Sequence, residues 1–202
     1  MNAALNLADE PEFDRRDDSR NIAVLRVGRL QTDDGDQLCV VRNISPGGLM
    51  FECLHPPAVG AEVMVEWRTD KQMPGTVRWV KGSSAGIQFP RSVDVERMLK
   101  EERSTLLRVR PRQPRFVRQG MVRLIGEGEP VTGSILDISV GGLSCRTDQA
   151  VRKGEPIAAV LDGVAATNAE IRWVRGDAVG IRFEKPLPWR AFQLWLDQAP
   201  RG

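Results

Sequence analysis

The sequence has no tyrosine, one histidine and three cysteines in 202 residues, and only 5% of it is aromatic. So little ring surface leaves nothing obvious on which successive bases could stack, which ranks a nucleic-acid polymer last among possible ligands. The lone His55 sits in the loop sequence "CLHPPAVG", with no nearby serine, cysteine or acid arrangement that repeats in the second copy, so nothing there marks a triad or an acid-base pair. No phosphate-binding P-loop, no HExxH and no cysteines at metal spacing occur. Catalysis, a metal and a bound cofactor are therefore not expected. Cys39, Cys53 and Cys145 are odd in number and far apart, which argues against a disulfide framework and for reduced, half-buried thiols. No apolar run reaches the length of a membrane span. The opening "MNAALNLADEPEF" lacks a basic and then apolar leader, so the expected compartment is the cytoplasm. Net charge is only +2, from 29 basic and 27 acidic residues, so any electrostatic argument must come from local clusters.

What the chain does have is a repeat. Hydrophobic residues make up 41% and charged residues 28%, enough for one or two folded domains. "RNISPGGLMFEC" begins at Arg42, and "LDISVGGLSCRT" recurs at an offset of 94 positions. At the same offset "VRWVKGSSAGIQF" (Val77 to Phe89) lies over "IRWVRGDAVGIRF" (Ile171 to Phe183) without a gap. A period of that length fits a small domain and is too long for a solenoid unit, so the chain reads as two homologous domains.

Each copy alternates short apolar runs with turn signals. "IAVLRVGRL", "LCVVRNI", "EVMVEW", "TVRWV" and "AGIQF" are divided by "TDDGD", "SPGG", "TDKQMPG" and "KGSSAG". The second copy has "MVRLI", "GSILDI", "PIAAVL", "AEIRWV" and "VGIRF". Five or six short strands at this spacing predict a small antiparallel barrel or a sandwich. Two helices are expected as seals: one with Val95, Met98 and Leu99 on a face, the other with Trp189, Phe192 and Leu196 and with Trp195 beside them. Trp79 and Trp173 read as strand-core residues.

In the turn, Asn43 and Ser45 should point out and Ile44 in, as alternation along an extended chain requires. Gly47 and Gly48 allow unusual torsions and leave room for a flat group. The same residues also describe an ordinary turn held by side-chain hydrogen bonds. Ahead of the first strand lie Arg15, Arg16 and Arg20; ahead of the second copy lie Arg108, Arg110, Arg112, Arg115 and Arg118, with no lysine among them. Planar guanidinium forks suit phosphates and the O6/N7 edge of guanine. The competing reading is a charged linker balanced by Asp17, Asp18, Glu101 and Glu102.

Arg16-x-x-x-Arg20 followed by Asn43-x-Ser45-x-x-Gly48 resembles the RxxxR and [D/N]xSxxG signature of PilZ domains, bacterial receptors for cyclic di-GMP. The resemblance covers most of the chain and implies a mainly β protein of two tandem six-stranded antiparallel barrels, each followed by a helix. The expected division is a tail at 1–13, a first barrel at 14–91, a helical linker at 92–107 and a second barrel with its C-terminal helix at 108–202. It also implies that Arg16 and Arg20, helped by Arg15, contact phosphates and guanine edges. Asn43 and Ser45 would bond guanine, and Gly48 would keep the wall low. In the second copy the turn is Asp137-x-Ser139-x-x-Gly142, but the arginines fit in two registers: Arg115 in the place of Arg20, or Arg108-x-x-x-Arg112 with a longer connection. Weak binding, binding through substitute arginines and a ligand-free scaffold all stay open there, and the first domain is the surer site. The implied function is a non-enzymatic receptor that signals to a downstream protein by changing shape; the alternative is an adaptor of the same fold that docks on a partner without ligand.

Overall fold

The computed structural model describes residues 22–68, 71–106 and 113–201. The first half holds β1 (Ile22–Thr32), β2 (Gly35–Ser45), β3 (Gly48–Cys53), β4 (Glu62–Arg68), β5 (Lys71–Lys81), β6 (Ser84–Gln88) and α1 (Val95–Leu106). The second half repeats the order with β7 (Met121–Ile125), β8 (Val131–Ser139), β9 (Gly142–Arg146), β10 (Pro156–Leu161), β11 (Thr167–Arg175), β12 (Ala178–Phe183) and α2 (Trp189–Gln198). Each set of six strands closes on itself, in the order β1-β2-β3-β6-β5-β4 and β7-β8-β9-β12-β11-β10. Barrels, not sandwiches, settle the choice left open by the strand pattern. Closure pairs Leu30 with Val65 in one barrel and Leu124 with Ala159 in the other, so neither sheet is left with a free edge.

The sixth strand of each barrel, β3 or β9, is the one the apolar runs did not mark, because it starts on the second glycine of the Gly-Gly turn. Leu30, Val41, Ile44, Phe51, Val65 and Val77 fill the first barrel. Val122, Leu124, Ile138, Leu143, Ile171 and Val179 fill the second. The cysteines lie fully inside these cores rather than half-buried, and all three are free.

Both helices bury the expected faces: Val95 and Met98 on α1, with Leu99 half-buried, and Phe192, Trp195 and Leu196 on α2. Phe192 meets Phe116 edge-on at 5.7 Å and stacks with Trp195 at 6.3 Å. α2 does more than cap its own barrel. Leu38 of β2 is buried in the apolar cluster of the second domain, and Val27 of β1 packs against it. The two barrels are thus docked through a shared apolar seam.

Polar groups line that seam. Gln193 Oε1 accepts the main-chain N–H of Leu38 at 2.5 Å, while its Nε2 donates to Asp197 at 2.7 Å. Arg118, only 4% exposed, donates to the Asp36 carboxylate at 2.5 Å, to the Asp36 carbonyl at 3.2 Å and to the Leu196 carbonyl at 3.3 Å. Outside it, His55 Nε2 lies 3.1 Å from Asp197 and Arg201 donates to the Asp34 carbonyl at 2.5 Å. A buried guanidinium is tolerable only when its donors are met in this way.

Candidate functional site: two polar clefts on the barrel walls

The repeated turn is built on the same backbone plan in both domains, although Ser45 is half-exposed and Ser139 buried. A bulge interrupts the pairing of β2 between Val41 and Asn43, and of β8 between Ile135 and Asp137. The extra residue re-aims the end of each strand, leaving Asn43 and Asp137 half-exposed on the outer wall while Ile44 and Ile138 are fully buried. Ser45 Oγ donates to the Gly48 carbonyl at 3.3 Å and Ser139 Oγ to the Gly142 carbonyl at 3.1 Å. Each hydroxyl therefore closes its own turn and keeps acceptor lone pairs for another group.

The glycines do not supply the unusual torsions expected of them. None of Gly47, Gly48, Gly141 and Gly142 lies at positive φ. A Cβ on Gly48 would sit 2.1 Å from the carbonyl oxygen of Ile87, and one on Gly142 would sit 2.2 Å from that of Ile181. The second glycine of each pair is needed because the neighbouring strand passes too close for a side chain.

The tryptophans were expected in the strand cores and are not there. Bulges between Val77 and Trp79 and between Ile171 and Trp173 break the alternation, so Trp79 is 43% exposed on the barrel's outer face and Trp173 is half-exposed. Each indole lies flat over a glycine: a Cβ on Gly86 or Gly180 would fall about 2 Å from it. Trp79 and the turn residues Asn43, Ser45 and Gly48 border one cleft of about 350 Å³, to which Arg78 also contributes. Trp173 borders a second cleft of about 850 Å³ together with Arg115, Asp137, Ser139 and Gly142. Arg172, Arg175 and Arg182 stand on the wall of that larger cleft, and Arg175 lies over the Trp173 ring at 5.5 Å. Motif reasoning on the sequence does not single out these three arginines, although the repeated "RWV" carries one of them.

The arginine segment ahead of the second barrel runs along the turn. Phe116 and Ile138 exchange main-chain hydrogen bonds at 2.8 and 3.0 Å, which sets Arg115 directly against the Asp137 carboxylate in an ion pair. Of the two registers for the second domain, the one that uses Arg115 is seen to meet the turn; Arg108 and Arg112 lie outside the described residues, as do Arg15, Arg16 and Arg20.

A model of the PilZ domain matches this chain twice, over residues 14–106 and 109–193. The chain belongs to the PilZ family. No curated protein matches it. Among solved structures, it is similar to the PlzA protein of Borreliella burgdorferi in complex with c-di-GMP, at 11% identity over 86% of each chain with a TM-score of 0.44. YcgR of Escherichia coli in complex with c-di-GMP is 15% identical over 86% of this chain and 82% of that one, with a TM-score of 0.36. The inhibitor of motility of Bacillus subtilis (MotI/DgrA) is 11% identical over 88% and 97%, with a TM-score of 0.34. Within the PilZ signature, both [D/N]xSxxG turns of this chain are formed and border clefts, with Asn43, Ser45 and Asp137 half-exposed and Ser139 buried, and no helix among the described residues is long and apolar enough to cross a membrane.

Proposed function

We propose that this tandem PilZ protein is a non-enzymatic receptor for cyclic di-GMP that signals to a downstream protein by a change of conformation, from the cytoplasm, with 14–91 and 108–202 as its two binding units. The observation that carries the reading is the meeting of Arg115 with Asp137 on the floor of an arginine-walled cleft. A cyclic dinucleotide brings two phosphates and two guanines. Guanidinium forks match the phosphates and the O6/N7 edges. A carboxylate matches the N–H donors on the opposite guanine edge, and Trp173, over which Arg175 lies, offers a base a ring to stack on once that guanidinium turns to a phosphate. On binding, Asp137 exchanges a guanidinium for guanine, Arg115 is freed to take one phosphate, the wall arginines Arg172, Arg175 and Arg182 are at hand for the other, and no covalent bond changes.

In the first domain Asn43 and Ser45 form the ledge, and Arg15, Arg16 and Arg20 supply the forks. Its described wall offers Arg78, whose Nε is engaged by Gln88 at 2.8 Å. Among the described residues the second cleft is the larger and carries more arginines, with Arg115, Arg172, Arg175 and Arg182 against Arg78 in the first.

Isothermal titration of the intact chain with cyclic di-GMP tests the reading. Saturable binding in the micromolar range or tighter is expected. Asp137→Ala removes the second-domain site, and Arg16→Ala combined with Arg20→Ala removes the first. A chain that gives no saturable heat, or two variants that titrate like the parent, overturns the assignment.

A further inference from the structure

The larger cleft is not made by the second domain alone. Arg29 of β1 and Glu66 of β4, both in the first barrel, stand on its wall. Arg29 donates through Nε at 3.0 Å and Nη2 at 2.5 Å to one oxygen of Glu66, and through Nη1 at 3.2 Å to the main-chain carbonyl of Arg115. Its Nη1 also lies 3.8 Å from Asp36, the carboxylate that Arg118 grips from the second domain. One guanidinium therefore joins the binding segment of one domain to the docking seam of the other.

The barrel fold does not call for this arrangement. Arg29 pairs with Glu66 across β1 and β4; at the same register in the second barrel Arg123 pairs with Val160. There the arginine is exposed and the carboxylate has become an apolar side chain. Glu66 is 3% exposed, and a carboxylate buried that deeply costs stability unless a partner meets it. A valine fills the equivalent place without that cost. What Glu66 adds is a fixed aim for Arg29: with two of its nitrogens tied to the carboxylate, the third is directed at the Arg115 carbonyl. The main chain of Arg115 is thus held from both sides, by the Phe116–Ile138 bridge and by Arg29, while its side chain remains free to leave Asp137.

Resting on the receptor reading above, we propose that Arg29 is a positioning residue for the second-domain site, and that by holding the main chain of Arg115 it couples ligand binding at Asp137 to the docking of the two barrels. Such coupling is reciprocal: docking raises affinity for the ligand, and ligand strengthens docking. The first barrel acts as a sensor of occupancy in the second, through a contact that the ligand need not touch.

The test uses the full chain carrying Asn43→Ala and Ser45→Ala, so that titration with cyclic di-GMP reports the second cleft. Arg29→Ala and Arg29→Lys are each expected to weaken binding about tenfold or more, because the lost bond involves a charged donor. Lysine keeps the charge beside Glu66 but has no fork to span Glu66 and the Arg115 carbonyl together. Amide exchange gives the second readout. Without ligand, both variants should speed exchange at Phe116 and Ile138 while Leu143, deep in the second barrel, stays protected. With ligand, exchange at Leu38, the amide held by Gln193, should slow in the parent and not in the variants. Val59→Ala, at an exposed position of the first barrel, should change none of these. The proposal is overturned if Arg29→Lys binds and exchanges like the parent, or if Arg29→Ala leaves Phe116 and Ile138 unaltered. Should the parent itself bind no cyclic di-GMP, the receptor reading fails, and ligand-free exchange still decides whether Arg29 positions the segment.

Discussion

Gln193 and Leu38 face each other across the seam between the barrels, the buried side-chain carbonyl of one accepting the main-chain N–H of the other at 2.5 Å. Truncating Gln193 to alanine strands a buried backbone donor, a loss of about 1–3 kcal/mol. Gln193→Ala should lower the denaturation midpoint and speed exchange of the Leu38 amide. A midpoint and exchange rate equal to the parent's would show that the bond does not hold the domains.

Adjacent glycines of one turn should differ sharply. A Cβ on Gly47 meets nothing within 4 Å, whereas one on Gly48 runs into the Ile87 carbonyl. Gly47→Ala should change stability by no more than about 0.5 kcal/mol, as open surface positions do. Gly48→Ala and Gly142→Ala should each cost about 3 kcal/mol by forcing neighbouring strands apart. Urea denaturation of the three variants checks the contrast, and equal losses at Gly47 and Gly48 would contradict it.

Trp173 forms one wall of the larger cleft, so ligand entering there should change its fluorescence. Subtracting the spectrum of Trp173→Phe isolates that signal from the other tryptophans. Gly180→Ala, which places a methyl group about 2 Å from the indole, should displace the ring and weaken binding without emptying the core. A ligand-induced signal that survives in Trp173→Phe would move the bound base elsewhere.

Burial pushes the thiols of Cys53 and Cys145 up to about 12 and about 11, and drives that of Cys39 further still, with Cys53 beside it adding to the effect. In the unfolded chain the same thiols ionise near 9. Between those values the unfolded state has lost protons that the folded state retains, so stability should fall as pH rises above about 9 and be unaffected by these groups below it. Denaturation midpoints from pH 7 to 10.5 check the slope, and Cys39→Ala should flatten it. At neutral pH a disulfide-exchange reagent should label none of the three until the protein is unfolded.

The second-domain turn was legible in outline, since Asp137, Ser139 and Gly142 repeat Asn43, Ser45 and Gly48 at constant offset and the alternation placed Ile44, the counterpart of Ile138, inward. Arg115 was one of two candidate registers, and spacing alone could not choose, because proline and glycine on either side let the segment take several paths. The tryptophans went the other way: a period of two puts Trp79 and Trp173 inside, and a single bulge residue in each strand reverses them. A bulge has no sequence mark as plain as a turn.

Local order carried the rest of what the chain could say by itself. Two copies, their strands, the helix faces and the polar turn arise from periodicity and turn chemistry, which act between residues close in sequence. Docking of the barrels, the walling of one domain's cleft by Arg29 and Glu66 of the other, and the burial of Arg118 and Gln193 came only with tertiary structure. These contacts join residues separated by most of the chain, and nothing in a local pattern distinguishes an arginine that meets solvent, such as Arg123, from its counterpart Arg29 that meets another domain.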